Sequence, residues 1–350
     1  MKRCIRVAMA LTMVLAAAGA AGCTKERTGG DTAPAASASA SISSGGETKP
    51  TGRAKVGLVT KTDSNPFFVT LREAARAEAA KLGADFVALA GKFDGDNDGQ
   101  VTAIENLVQQ GVTTILITPN SSTGVLGAIK KARDKQVLVI ALDTETDPPS
   151  AVDATFATDN TAAGRHQGAY VKAAVGAKQP EVIMLDGTPG SSVDTQRHTG
   201  FLQGIGMADG DAHIRGRQSV NGDQNKAQQS MENLLQRSPK INAVYTLNEP
   251  TARGANVALK AKGLAASVVV GSIDGGCQGV QDVKDGKYAV TVMQFPKKMA
   301  ELGVDAAVEF AKSGKKPSGF QDTGSMVITD KPMQGVESKD TAWGLENCWK

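Results

Sequence analysis

The feature that most constrains this chain is a rhythm of short, unbroken Val/Ile/Leu runs, each followed by a stretch with helical apolar spacing. The runs begin with VGLVT at 56–60 and continue with DFVALA at 85–90, TTILIT at 113–118 and VLVIAL at 137–142. A strand that is apolar at consecutive positions has to be covered on both faces, which is the condition of a parallel sheet lying between layers of helices. The intervening stretches read as helices over 66–82, 99–110 and 122–135, the first ending at Gly83 as a helix C-terminus should.

The region 143–157 breaks the rhythm with polar residues, Pro148–Pro149 and the short strand-like ATFAT. A second series then begins: helix 160–176, VIMLD at 182–186, helix 192–208 and a strand near 213–220. Helix 224–237, AVYTL at 243–247, helix 250–262 and VVVGSI at 268–273 follow. Strand 288–294, helix 296–313 and a short strand 325–329 close the pattern. Two separate blocks of βα units predict two doubly wound domains, whereas a barrel would need one continuous set of eight units.

The chain is long enough, at 350 residues, for two such domains, and its 41% hydrophobic and 21% charged residues are those of a globular protein. A net charge of +3 without a Lys/Arg run gives no nucleic-acid footprint. At the N-terminus, Lys2, Arg3 and Arg6 precede an apolar core from Val7 to Ala18, and Ala20, Ala21 and Gly22 precede Cys23. Residues 1–22 therefore read as an export signal. The pattern resembles a bacterial lipoprotein signal with Cys23 as the lipidated residue, although Ala20 stands where such signals usually carry Leu; ordinary cleavage nearby is the alternative. Residues 23–53, rich in Ser, Ala, Gly, Thr and Pro, read as a flexible tether. With Cys4 removed and Cys23 lipidated, Cys277 and Cys348 remain, and in an exported protein they suggest one disulfide stapling the tail to the Cys277 turn. Two separate buried thiols are the bland alternative.

In an open α/β sheet, ligands bind beyond the carboxyl ends of the strands. Polar residues collect at those ends here: Asn65 after the first strand, Asp143 and Thr144 after VLVIAL, Asn248 after AVYTL, Asp274 after VVVGSI and Gln294 after YAVTVM. Arg197 lies on the helix after VIMLD. A carboxylate accepts two hydrogen bonds, an amide donates and accepts, and a guanidinium offers a fixed fork of donors. Such a set suits adjacent hydroxyls pointing in different directions, as on a sugar. Phe67 and Phe68, in a chain with only 4% aromatics, are either a stacking wall for that sugar or ordinary packing of a helix on its sheet.

The motifs NPFF (65–68), ALDT (141–144), ATDN (157–160), QRHTGF (196–201), TLNEP (246–250), GSIDGG (271–276) and QFP (294–296) occur in an order that resembles the type I periplasmic sugar-binding proteins of ABC importers. The resemblance spans residues 54–330 and is closest to the fructose- and ribose-type binders. It implies two Rossmann-like lobes joined by a three-segment hinge, 54–157 plus 295–324 forming the N-terminal lobe and 158–294 plus 325–350 the C-terminal one. Carried over by position, Asn65, Phe67, Phe68, Asp143, Arg197, Asn248, Asp274 and Gln294 fall on ligand contacts. Two positions depart from the ribose pattern: Thr144 stands in place of a second arginine, and Gly222, beside Asn221, in place of an aromatic. Those losses would widen the pocket toward a hexose. A hexose has about a dozen heavy atoms, so micromolar binding needs roughly 0.7 kcal/mol from each, which favours closure of two lobes around it.

Other signals compete. Asp94, Asp96, Asp98 and Glu105 match an EF-hand calcium loop in spacing, but a strand rather than a helix precedes them, and a polar βα loop with Asp98 capping the next helix is the simpler reading. DGTPGSS at 186–192 lacks the lysine of a phosphate loop and reads as a turn in which Ser191 or Ser192 caps a helix. His166, His198 and His213 are not at metal-ligand spacing. An Asp63/Asp274 carboxylate pair for glycoside hydrolysis is the remaining enzymatic idea. The expectation is therefore a non-enzymatic, monomeric solute-binding protein of the cell envelope, at the periplasm or the outer membrane face. It would use no cofactor and would pass a monosaccharide to a membrane permease. A sensor presenting the sugar to a membrane receptor is the alternative. A LacI-type repressor would carry an N-terminal DNA-binding helix-turn-helix where the export signal stands.

Overall fold

The computed structural model describes residues 52–350. The export signal, Cys23 and all but the last two residues of the expected tether lie outside the described residues. The first series runs β1 (Lys55–Thr60), α1 (Pro66–Lys81), β2 (Asp85–Ala90), α2 (Asn97–Gln109), β3 (Thr114–Ile117), α3 (Leu126–Asp134), β4 (Leu138–Leu142) and β5 (Ala154–Ala157). The second runs α4 (Asn160–Val175), β6 (Val182–Asp186), α5 (Ser192–Ile205), β7 (Ile214–Ser219), α6 (Gln224–Arg237) and β8 (Ala243–Thr246). It continues through α7 (Glu249–Ala261), β9 (Val269–Asp274), α8 (Cys277–Lys284) and β10 (Val290–Met293). α9 (Pro296–Ser313), β11 (Gly319–Asp322), β12 (Met326–Ile328) and α10 (Thr341–Asn347) complete the chain. Sequence patterning missed α8, β11 and α10. α8 and α10 are a single turn or two long, below the length at which periodicity speaks, and β11 is an exposed edge strand with no apolar run.

The strands form two six-stranded sheets, ordered β11-β5-β4-β3-β1-β2 and β12-β10-β9-β8-β6-β7. Every pair is parallel except the antiparallel β10–β12 edge. The central strands β3, β4, β6 and β8 are buried along their whole length, as unbroken apolar runs require. The chain passes between the sheets three times: after β5, after β10 and after β11. One face of the first sheet packs on α1 and α9 through Leu71, Ala75, Met299 and Val304, the other on α2 and α3 through Ile104, Leu107 and Ile129.

In the second lobe, α4 and α5 touch backbone to backbone. A Cβ added at Gly164 would collide with the carbonyl oxygen of Arg197, and one at Gly200 with that of Thr161. Glycine is required at both positions because the two main chains leave no room for a side chain. That contact sets the depth at which Arg197 enters the space between the sheets.

Candidate functional site

The carboxyl ends of both sheets face one cleft. Its lining combines Lys61, Asn65, Phe67, Phe68, Asp94 and Asp143 from the first lobe with Thr188, Ser191, Val193, Asp194, Arg197, Leu247, Asn248, Asp274 and Gln294. The cavity left within this cleft is about 40 Å³.

Two asparagines hold equivalent places in the two lobes. Asn65 caps α1, its Oδ1 accepting the N–H of Phe67 at 3.0 Å, with Pro66 opening the helix. Asn248 caps α7, its Oδ1 accepting from the N–H of Thr251 at 3.1 Å and the Thr251 hydroxyl at 2.6 Å, with Pro250 in the first turn. Each cap commits the carbonyl oxygen of its amide to the helix, so that Nδ2 is the side-chain donor left for the cleft.

The charged groups are held by a buried network. Arg197, 2% exposed, donates from Nε to Asn160 Oδ1 at 2.8 Å and from Nη1 to the Leu247 carbonyl at 3.0 Å, and Nη1 lies 3.9 Å from Asp274 Oδ1. Asp274 also accepts from Gln294 Nε2 at 2.9 Å and from the Glu249 amide at 3.4 Å. Burial raises its carboxyl to about 6, with the Arg197 charge opposing. Glu249 behind it accepts from Gly275 N and Thr291 Oγ1, both at 2.8 Å, and is raised to about 8, first by burial and then by the Asp274 charge. Gln294 Oε1 is buried without a partner in the protein, an orphan acceptor in the lining.

Backbone conformation marks the same places. Among the described residues only Gln136, Asp143, Asn221 and Asp274 combine a side chain with positive φ, and the last three were expected at the site. Asp143 (φ +64°) follows β4, and Asp274 (φ +150°) ends β9. Non-glycine residues persist in such conformations where the surroundings over-determine them, and these cluster at ligand sites.

Thr144 and Asn221 are corrections to the sequence reading, because neither lines the cleft. Thr144 is fully buried, and its hydroxyl donates to Asp143 Oδ2 at 2.8 Å, so it orients the carboxylate from behind. The amide of Asn221 reaches the Asp94 carbonyl at 3.5 Å. The expected widening beside Gly222 is absent as well. A Cβ there would lie 2.9 Å from Asn248 Nδ2, and the cleft lining includes Asp94, Thr188 and Lys61 in addition to the expected residues. Thr188 Oγ1 donates to Asp94 Oδ1 at 2.9 Å across the lobes, and Lys61 Nζ reaches Ser191 Oγ at 3.4 Å. Burial raises the Asp94 carboxyl, with Lys61 as the chief opposing charge. Lys61 follows β1 directly and so satisfies the strand-end rule, whereas Asp94 lies within the 94–105 calcium-loop spacing.

The four carboxylates of that pattern face separate tasks. Asp94 turns into the cleft, while Asp96 caps α2 by accepting from Gly99 and Lys92 amides at 2.9 Å. Asp98 is exposed, and Glu105 pairs with Lys131 at 2.9 Å. The cap is thus Asp96, not Asp98, because the helix begins two residues earlier than its spacing suggested. Among the described residues, no group of three or more His, Cys, Asp and Glu side chains is placed to hold a metal. Ser191 stands at the N-cap of α5 without a capping hydrogen bond from its side chain, and Ser192 Oγ accepts instead from the Glu145 amide at 2.8 Å. Asp63 is exposed and does not line the cleft, so it forms no carboxylate pair with Asp274.

Phe67 and Phe68 hold both of the roles considered for them. They belong to the core cluster of the first lobe and also line the cleft, their rings edge to face at 5.4 Å. The Cys277–Cys348 disulfide is present, its Cα atoms 4.9 Å apart.

Two parallel-sheet lobes with a polar, two-sided cleft at their facing strand ends define a solute-binding architecture of the periplasmic type. The chain belongs to the periplasmic binding protein domain family, whose model matches residues 56–316. It is 35% identical over 277 residues to the ribose import binding protein of Salmonella typhimurium, covering 78% of this chain and 90% of that protein. It is 28% identical to the D-allose-binding periplasmic protein of Escherichia coli, covering 79% and 92%. Among solved structures, an ABC transporter solute-binding protein of Actinobacillus succinogenes with bound D-allose superposes with a TM-score of 0.71 at 27% identity, covering 79% of this chain and 98% of that one.

Proposed function

We propose that this chain is the solute-binding protein of an ABC importer, that it captures a monosaccharide between its lobes, and that it hands the sugar to a membrane permease. The observation that carries this reading is the cleft itself. Asp143, Arg197, Asn248, Asp274 and Gln294 converge from strand ends and an adjacent helix of both lobes, and the buried Gln294 Oε1 lacks a protein partner. Each group is matched to hydroxyls: Asp143 and Asp274 accept, Arg197 and the two capping asparagines donate, and Gln294 accepts a donor that the protein does not supply. Phe67 and Phe68 provide the apolar wall for the C–H face of the ring. Thr144 orients Asp143, and Asn221 buttresses the Asp94 loop.

Two sugar classes, pentose and hexose, occur among the relatives. The additional donors and acceptors in this cleft, Lys61, Asp94 and Thr188, favour a hexose or another sugar with one more hydroxyl than ribose. The reaction is binding alone, with no bond broken, and needs no cofactor. Closure is a hinge motion in which the three crossings, near residues 157, 294 and 324, flex while each sheet stays rigid. Asp94–Thr188 and Lys61–Ser191 are then contacts of the closed form. The lobes comprise 54–157 plus 295–324 and 158–294 plus 325–350. No helix among the described residues is long and apolar enough to cross a membrane. A lipid on Cys23, with residues 24–53 as tether, would hold the monomer at the envelope.

A thermal-shift screen of D-ribose, D-allose, D-fructose and D-galactose tests the proposal. A sugar present at a hundred times its Kd stabilises the folded chain by about 2.7 kcal/mol, a shift of several degrees. A panel of monosaccharides that leaves the melting temperature unmoved would overturn it.

A further inference from the structure

The family match ends at residue 316, yet the chain continues to Lys350 and returns to a pocket beside the cleft, between Phe67 and Cys277. After β12, Lys339 pairs with the strand edge through Thr329 N to Lys339 O and Lys339 N to Val327 O, both 2.9 Å. Asp340 then caps α10 by accepting the Trp343 amide at 2.8 Å. Gly344 lets α10 approach Ile328 and Val280 so closely that a Cβ would lie 2.8 Å from each. The Cys277–Cys348 disulfide ties the end of α10 to the start of α8.

This path delivers Trp349 to a junction between the lobes. Its backbone bridges Gly276, its carbonyl accepting the Cys277 amide at 2.9 Å. Its indole Nε1 donates to the carbonyls of Asp274 at 3.2 Å and Gln294 at 3.0 Å, the two second-lobe residues that face the cleft from adjacent strand ends. Its ring meets Phe67 of the first lobe edge to face, with centroids 5.6 Å apart. Trp349 is 5% exposed and belongs to the first lobe's core cluster although it is covalently fastened to the second. Next to it, Thr70 of α1 donates from its hydroxyl to the carbonyl of Lys350.

We propose that Trp349 is a positioning residue for the sugar site. It sets the backbones of Asp274 and Gln294 on one side and supports the aromatic wall at Phe67 on the other, and the disulfide holds it there. The idea rests on the sugar-binding reading above. Contacts that exist only when the lobes are closed raise the closed fraction, and apparent affinity rises in proportion. The Phe67 and Thr70 contacts are of that kind, because the tail travels with the second lobe. Asp274 and Gln294 touch the sugar in this account; Trp349 acts through them.

The test is calorimetric titration with the sugar that gives the native chain its largest thermal shift. The native titration tests sugar binding separately, and the variants are compared with it. Trp349→Ala should weaken binding by about ten- to a hundredfold through loss of an aromatic pair and two hydrogen bonds. Trp349→Phe keeps a ring and removes the N–H, and should recover part of that loss, which keeps the idea testable if the alanine variant folds poorly. A Trp343→Phe control should bind as the native chain does. With Trp349 then the only tryptophan, its emission should shift on adding the sugar. A folded Trp349→Phe variant with native affinity, or a Trp349 emission that ignores the sugar, would overturn the proposal.

Discussion

The two lobes build their halves of the cleft by different means. The first presents an apolar wall, Phe67 and Phe68, set in a core shared with α9 and the tail, with Asp143 beside it oriented by Thr144. The second presents an ionic lattice in which Asn160, Arg197, Asp274, Gln294 and Glu249 hold one another in place. Packing fixes the first half and tolerates conservative change. Hydrogen bonds fix the second, and removing any member leaves another buried polar group unpaired.

The largest expected effect therefore lies in the second lobe. Arg197→Ala should reduce sugar affinity by more than about a hundredfold, since it removes a ligand donor, leaves Asn160 Oδ1 without its donor and leaves Asp274 without its counter-charge. Calorimetry measures the loss, and a tenfold effect or less would put the lattice on a par with the wall. Gly164→Ala leaves every ligand contact in place yet forces α4 away from α5 beneath Arg197. A fall in affinity of roughly tenfold or more, with a lower melting temperature, is expected from overpacking at a backbone contact. An unchanged Kd would show that Arg197 is positioned by its hydrogen bonds alone.

The pH dependence separates the halves further. Asp274 is raised to about 6 by burial, so the carboxylate that sugar hydroxyls require is lost as pH falls through 6. At one pH unit below that value affinity should be about tenfold weaker. Stability has the opposite slope. The folded chain keeps protons on Asp274 and Glu249 that the unfolded chain has released, so ligand-free stability contributed by this pair declines as pH rises from the unfolded carboxyl range toward 8. Melting temperatures of native and Glu249→Gln proteins across pH 5–8 check the sign, and the variant should lose part of the decline. The smallest effect belongs to the first lobe: Thr144→Val removes one hydrogen bond behind Asp143 and should weaken binding only about threefold.

The alternating strands and helices were legible because continuous apolar strands and helical spacing report burial directly, whereas the three crossings followed only from the family resemblance. α9, from Pro296 to Ser313, coincides with its expectation to the residue. Strand-end polarity located Asn65, Asp143, Asn248, Asp274 and Gln294, since strand direction dictates which residues share an edge. What stayed hidden depends on distance in the chain. The pairing of Asp94 with Thr188, the turn of Thr144 toward its neighbour and the return of Trp349 to Phe67 are set by closure and tertiary packing, which leave no local period. The spacing of 94–105 shows the same limit: it is linear, whereas the tertiary path sends Asp94 to Thr188, Asp96 to the α2 cap, Asp98 to the surface and Glu105 to Lys131.

We propose that one sugar is gripped from both lobes at once. Calorimetric titration of Asp143→Ala, from the first lobe, and Asp274→Ala, from the second, tests it most directly against the native chain. The native protein should bind at a single site and each variant should lose about a hundredfold or more in affinity, with ligand-free folding retained in both. Native affinity in either variant would contradict it, because that lobe would then contribute no essential contact.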